Sequence, residues 1–404
     1  MATRDRHGQT SSVLDTTARA KLDSRYPGLS LRPGAVDLVS SAAIFTSSAS
    51  TPTTLHSLTM VAFLRFVSFA TLAAAIPLGD VLGDAENCSG EFAQVEAPEG
   101  AFVVDRSGKA PKSFPTFNSA VAALKNGTDE QTIFVHPGNY TEQIVIPKHN
   151  GPIVIQGYTC DSRTYAGNKA TLSGGLSRTF PNITKNDQTA VIRIATPNVK
   201  MYNLNVENTF GQADKNGQAL AISAQNTDLG FYACQFAGYQ DTVLANVGRQ
   251  LYVKSLIIGA TDFIFGQKAV AWFESCDLKT IGKGYITANG RDSEQNPSYY
   301  VFNKASVTGT SGPASQVLGR PWKTFARVVF QNSELGDVIK PDGWTTWNAT
   351  APTENVSFKE FKNTGPGAEG PRVNFSSTLT EAVEPVDLFG EGWEKSWFVD
   401  QSYL

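Results

Sequence analysis

Six short segments of this chain are variations on one pattern, and they constrain its fold more than any other feature. Met201-Tyr-Asn-Leu-Asn-Val206, Phe231-Tyr-Ala-Cys-Gln-Phe236 and Leu251-Tyr-Val-Lys-Ser-Leu-Ile257 open the series. Trp272-Phe-Glu-Ser-Cys-Asp-Leu278, Val301-Phe-Asn-Lys-Ala-Ser-Val307 and Val329-Phe-Gln-Asn-Ser-Glu-Leu335 continue it. Aligned at Leu204, Cys234, Ser255, Cys276, Ala305 and Ser333, the steps are 30, 21, 21, 29 and 28 residues. A period of that size, built from short β-type runs and turn residues, predicts an all-β solenoid whose coils bury a shared interior. Excess over 21 residues is then loop, inserted on one face. An ordinary β-sandwich would make the likeness a coincidence. The solenoid also overrides the length prior: 404 residues would otherwise suggest two or three domains. Phe117, Ala120, Val121 and Leu124 follow helical spacing, so a short helix over Phe114–Leu124 is expected to cap the first coil.

The N-terminal part has a different character. Residues 1–59 are rich in Ser, Thr and Ala without a sustained period and read as low complexity. From Met60 to Arg65 a short basic segment precedes an apolar run, Phe66 to Ile76, that contains Ala73-Ala-Ala75. This is the layout of a signal peptide over residues 60–75, and the run is shorter than the roughly 20 residues a membrane span needs. Translation from Met60 is the corresponding expectation, with 1–59 an extension of the gene model. Residues 76–99 then form an N-terminal segment, and 100–404 the solenoid domain. Sequons at Asn87, Asn126, Asn139, Asn182, Asn348, Asn355 and Asn374 fit a secreted, extracellular glycoprotein.

Two counts narrow the chemistry. From Ile76 onward there are 27 Lys and Arg against 33 Asp and Glu, a net charge of −6 that argues against capture of nucleic acid. The four histidines lie at positions 7, 56, 136 and 149, so chemistry beyond residue 149 runs on carboxylates, hydroxyls, amides or Arg. Of the four cysteines, Cys234 and Cys276 stand two coils apart with Ser255 between them. Strands about 4.8 Å apart put those two roughly 10 Å from each other, too far for a disulfide. The remaining pair, Cys88–Cys160, is the expected one.

In a solenoid, spacing is position. Gln218, then Gln240 with Asp241, then Asp262 recur at steps of 22 and 21 residues, one coil each. Adjacent strands would bring two amides and two carboxylates onto one patch, the Asp pair about 5 Å apart. Two carboxylates that close cannot both ionise comfortably, so one pKa should rise and one fall. An acid and an anionic nucleophile result without a histidine.

The strings that hold these residues resemble the signature blocks of the pectin methylesterase (pectinesterase) family, with details like its secreted fungal members. They are Gly217-Gln-Ala-Leu-Ala-Ile222, Gly238-Tyr-Gln-Asp-Thr-Val-Leu244, Gly259-Ala-Thr-Asp-Phe-Ile-Phe-Gly266 and Leu318-Gly-Arg-Pro-Trp322. Gly138-Asn-Tyr-Thr-Glu142 and Asn363-Thr-Gly-Pro-Gly-Ala368 resemble two further blocks, and the order is kept from about Gly100 onward. The resemblance implies a right-handed parallel β-helix that hydrolyses C6 methyl esters of galacturonate in pectin, releasing methanol. It implies Asp262 as nucleophile, Asp241 as general acid and then base, and Gln218 and Gln240 as donors to the oxyanion. Arg320 would keep Asp262 ionised, and Trp322, Tyr239 and Phe263 would form the sugar-facing wall. No cofactor and no metal is implied; the partners are methyl-esterified homogalacturonan and water, and a monomer is expected. Thr261 and Val243 stand where the family often has Val and Leu. The Gly138–Glu142 block reads as structural, while Trp344 and Trp347 fit either subsites or core.

Rival activities fit less well. Paired carboxylates also suit a β-helical glycosidase, but such an enzyme would be expected to supply a histidine that the solenoid body lacks. A lyase would need an acidic cluster to gather Ca²⁺, and a carbohydrate-binding solenoid would not need these residues to converge. A serine esterase lacks both a Gly-x-Ser-x-Gly elbow and a late histidine.

Overall fold

The computed structural model describes residues 88–404; the expectations for residues 1–59, for the signal peptide and for 76–87 of the N-terminal segment lie outside it. Every paired strand among the described residues is parallel to its neighbour, and each pairs with its equivalent one coil away. Eleven strands, from Phe102–Val104 to Ser376–Thr378, make one sheet. Thirteen more make a second sheet that carries two rows. The 11-residue strand Leu256–Gly266 runs through both rows: Leu256 pairs with Gln235, and Ile264 with Val243. The chain therefore winds as a parallel β-helix.

The repeat has a backbone cause. Asn203, Ala233, Lys254, Ser275, Lys304, Asn332 and Lys362 all turn in the left-handed region, with φ between 46° and 53°. Each starts the corner after a strand of the first sheet. Non-glycine residues resist that region by roughly 1–2 kcal/mol, so the corners persist because stacked coils hold them. Ser255 Oγ accepts from Cys234 N at 3.1 Å and donates to Val253 O at 3.1 Å, bridging two coils at this corner.

Residues leading into the corners alternate inward and outward, as in any strand. Phe231, Tyr252, Phe273, Phe302 and Phe330 face in and stack with centroids 4.6, 4.6, 4.4 and 4.3 Å apart. Stacks like these add roughly 0.5–1.5 kcal/mol each beyond the area they bury. Their neighbours Tyr232, Leu251, Val253, Trp272, Val301 and Val329 face outward and are still buried, because the C-terminal segment covers them with Val383, Leu388, Phe389 and Phe398. That sheet has no free face in this region, and the cleft described below opens on the other sheet.

The helix runs from Phe117 to Ala123, three residues later than the spacing suggests. Thr116 caps it, and Glu142 accepts from the backbone N–H of Phe117 at 2.8 Å and of Asn118 at 3.0 Å. Glu142 is thus a helix cap supplied by the first coils. Cys88 and Cys160 form a disulfide, while Cys234 and Cys276 are free and buried.

Candidate active site

Two irregularities in the coils create the site. Asp241 and Asp262 both adopt left-handed backbone, φ 64° and 50°, away from the regular corners. Asp tolerates that region better than most residues. Parallel bridges align Gln218 with Gln240 and Gln240 with Thr261, and Asp241 N donates to Thr261 O at 3.0 Å. The register therefore puts Asp241 beside Asp262, and the turn in each throws its carboxyl off the coil into a cleft.

That cleft has a volume of about 230 Å³. Gln218, Gln240, Asp241, Asp262, Arg320 and Trp322 line it together with Asn186, Phe265, Ala288 and Trp347. Gly217 leaves room for the Gln240 amide, since a Cβ there would lie 2.9 Å from Gln240 Oε1. Gly290 does the same for the wall: its Cβ would meet Trp322 at 2.7 Å.

The two carboxylates have unlike partners. Arg320 grips Asp262 with both arms, Nε to Oδ1 at 2.9 Å and Nη2 to Oδ2 at 2.6 Å. Tyr285 and Trp347 flank the guanidinium, their ring centroids 3.9 and 4.1 Å from Cζ. A planar fork between two rings has one way to point, and bidentate pairs of this kind are among the strongest in proteins. Asp241 instead accepts from the Asn186 amide, Nδ2 to Oδ2 at 2.9 Å. Both carboxylates are buried, each 5% exposed.

Burial first, then the charge of Asp262, pushes the Asp241 carboxyl well above the usual carboxylate range. Burial also raises Asp262, and the bonds and charge of Arg320 oppose that rise without cancelling it. The expectation that one value would fall is therefore corrected. Desolvation acts on both groups and the charge of Arg320 lowers both, but only Asp262 also receives the arginine's hydrogen bonds, and that separates them. Arg320 itself loses from burial but gains more from Asp262, and its pKa rises.

Among the amides, Gln218 Oε1 is buried with no hydrogen-bond partner. An unmade bond there costs about 1–3 kcal/mol, so this end of the cleft is suited to a ligand that supplies the missing partner.

Two members of the anticipated wall are elsewhere. Phe263 is fully buried in the interior cluster, because the turn at Asp262 sends the next side chain inward. Tyr239 is half-buried outside the cleft lining; its hydroxyl fills the place a side chain on Gly282 would take. Phe265, in register with Leu244, supplies the apolar floor instead and lies 6.1 Å from Trp322, centroid to centroid. The Trp pair separates: Trp347 lines the cleft, whereas Trp344 is buried, stacks on Phe358 at 4.3 Å and donates to Glu360. Phe265 was within reach of a register argument from Leu244. Asn186 had no such signal, because its loop belongs to no repeat.

A family model described as Pectinesterase matches residues 102–388. The chain belongs to the pectinesterase family. Curated pectinesterases include one from Aspergillus niger, 45% identical over 77% of this chain and 94% of the relative. Another, from Aspergillus aculeatus, is 43% identical over 76% and 93%. The crystal structure of deglycosylated pectin methylesterase from Aspergillus niger aligns with a TM-score of 0.70 at 34% identity. It covers 77% of this chain and all of that one. Pectin methylesterase from carrot aligns with a TM-score of 0.67 at 26% identity, over 76% and 99%. The fold of this pectinesterase is the right-handed parallel β-helix.

Proposed function

We propose that this enzyme de-esterifies pectin through an acyl-enzyme on Asp262, with Asp241 moving the protons. Membership of the pectinesterase family supplies the reaction, hydrolysis of methyl-esterified pectin to free carboxylate and methanol. The observation that carries the division of labour is the forked Arg320 contact, made to Asp262 and not to Asp241.

In the first step Asp262 attacks the C6 carbonyl of a galacturonate methyl ester, and the carbonyl electrons move onto oxygen. Gln218 and Gln240 face that oxygen; donors preorganised in a dry cleft typically contribute 10²–10³-fold. The tetrahedral centre then collapses, the C–O bond to methoxide breaks, and Asp241 gives its proton to the departing oxygen. Methanol leaves, and an anhydride joins C6 to Asp262. In the second step ionised Asp241 takes a proton from water, the hydroxide attacks C6, and Asp262 departs as carboxylate. Asp241 ends protonated, as it began. Trp322, Trp347 and Phe265 offer apolar surface to a sugar ring.

We infer export as well. The Cys88–Cys160 disulfide belongs to an oxidising compartment, and the six sequon asparagines among the described residues are all exposed. The functional test is methanol release from methylated pectin with the product chains sized. Methanol with unchanged chain length supports the reading, and shortened chains without methanol contradict it.

A further inference from the structure

The loop between the strands Ala170–Gly174 and Ile192–Ile194 carries no repeat and no family block named above, yet it delivers a side chain to Asp241. We propose that Asn186, oriented by Arg178, is a positioning residue that decides which oxygen of Asp241 carries the catalytic proton. This rests on Asp241 being the acid and base of the reaction.

Donor and acceptor chemistry fixes the arrangement. Arg178 Nη1 lies 3.0 Å from Asn186 Oδ1. A guanidinium can only donate, so the amide end facing it must be the carbonyl oxygen. The NH₂ end then faces Asp241 and donates to Oδ2 at 2.9 Å. That oxygen is occupied as an acceptor, which leaves the acid proton to Oδ1. Without Arg178 the amide could turn over, present its carbonyl to Asp241 and draw the proton onto Oδ2.

The loop is held at both ends of this relay. Arg178 N donates to Gln218 O at 3.0 Å, and its Nε donates to Ile183 O at 3.2 Å. Thr189 Oγ1 donates to Asn186 O at 2.7 Å and accepts from Leu220 N at 3.1 Å. The relay is thus tied to the coil that carries Gln218, and a shift of the loop would move Asn186 and Gln218 together. The charged groups around Asp241 are Asp262 and Arg320 in the cleft, with Arg178 behind Asn186.

Asn186→Leu keeps the side-chain size and removes the N–H. The kcat on methylated pectin should fall roughly ten- to hundredfold with KM within about twofold, the pattern of lost transition-state positioning. Since the N–H favours ionised Asp241, its removal should also move the basic limb of the kcat/KM profile to higher pH. Arg178→Met leaves Asn186 in place but frees its amide, and should act in the same direction with a smaller loss. It carries the same test should Asn186→Leu fail to fold. In an Asp241→Asn background, Asn186→Leu should add less than about twofold. An unchanged kcat and basic limb overturn the proposal, and so does a full, independent loss in the Asp241→Asn background. If Asp241→Asn is impaired while Asn186→Leu is silent, this inference alone fails. If Asp241→Asn keeps wild-type kcat, the acid assignment fails and takes the inference with it.

Discussion

The inner ladder of the coils and the loops over the cleft obey different rules. In the ladder each aromatic ring meets its own equivalent, 21 to 29 residues away, and the same corner recurs at seven successive turns, from Asn203 to Lys362. In the cleft the decisive contacts join unlike segments: Asn186 to Asp241 across 55 positions, and Arg320 to Asp262 across 58. Repetition spreads stability over many similar contacts, so no one corner or ring is indispensable. Chemistry concentrates in a few contacts that occur once. The difference predicts that ladder changes are read in stability and cleft changes in rate.

The largest effect should come from Asp262→Asn, which removes the nucleophile and should bring methanol release down to the buffer rate. Asp241→Asn should lower it by roughly 10²–10⁴-fold, since both proton transfers lose their carrier. Gln218→Ala should reduce kcat by roughly 10²–10³ with a smaller change in KM; a change in KM alone would make it a binding residue instead. A contrasting break is Phe302→Ala in the middle of the stack. It should cost about 3–5 kcal/mol by denaturant titration, while kcat of the folded fraction stays at the wild-type value. A rate loss with normal stability would erase the distinction between the two regions.

Subtler effects sharpen the comparison. The raised Asp241 pKa means the folded chain holds a proton that the unfolded chain releases. The resulting stability is present at low pH and is lost as pH rises through the folded pKa. Asp241→Asn should therefore raise Tm relative to wild type by an amount that is small at low pH and grows as pH rises from the ordinary carboxylate range through the folded pKa, as a pH series of thermal melts would reveal. Activity should share that limb, since the protonated form is the acid. Chelators should do least: no group of three or more His, Cys, Asp or Glu converges among the described residues, so treatment with EDTA should leave the rate unchanged.

The coil body was legible in the sequence because period and contact coincide there. Leu204, Cys234 and Ser255 mark successive corners, and the same arithmetic aligned Gln218, Gln240, Asp241 and Asp262. Phe263 misled, because the turn at Asp262 that sends its own carboxyl into the cleft sends the next side chain into the interior. Asn186 and Arg178 stayed silent, because loop geometry carries no period. Trp344 and Trp347, three residues apart in one string, part company only when the coil end folds.

The central claim is that Arg320 divides the roles of two neighbouring carboxylates. The most direct measurement compares Asp262→Asn and Asp241→Asn on methyl esters and on esters with better leaving groups, with folding verified by circular dichroism. An activated leaving group needs little acid assistance, so the first step of Asp241→Asn should recover strongly, seen as a burst of released alcohol. Asp262→Asn should stay inactive on every ester, with no burst. If Asp262→Asn retained more activity than Asp241→Asn throughout, the nucleophile and the acid would have to be exchanged.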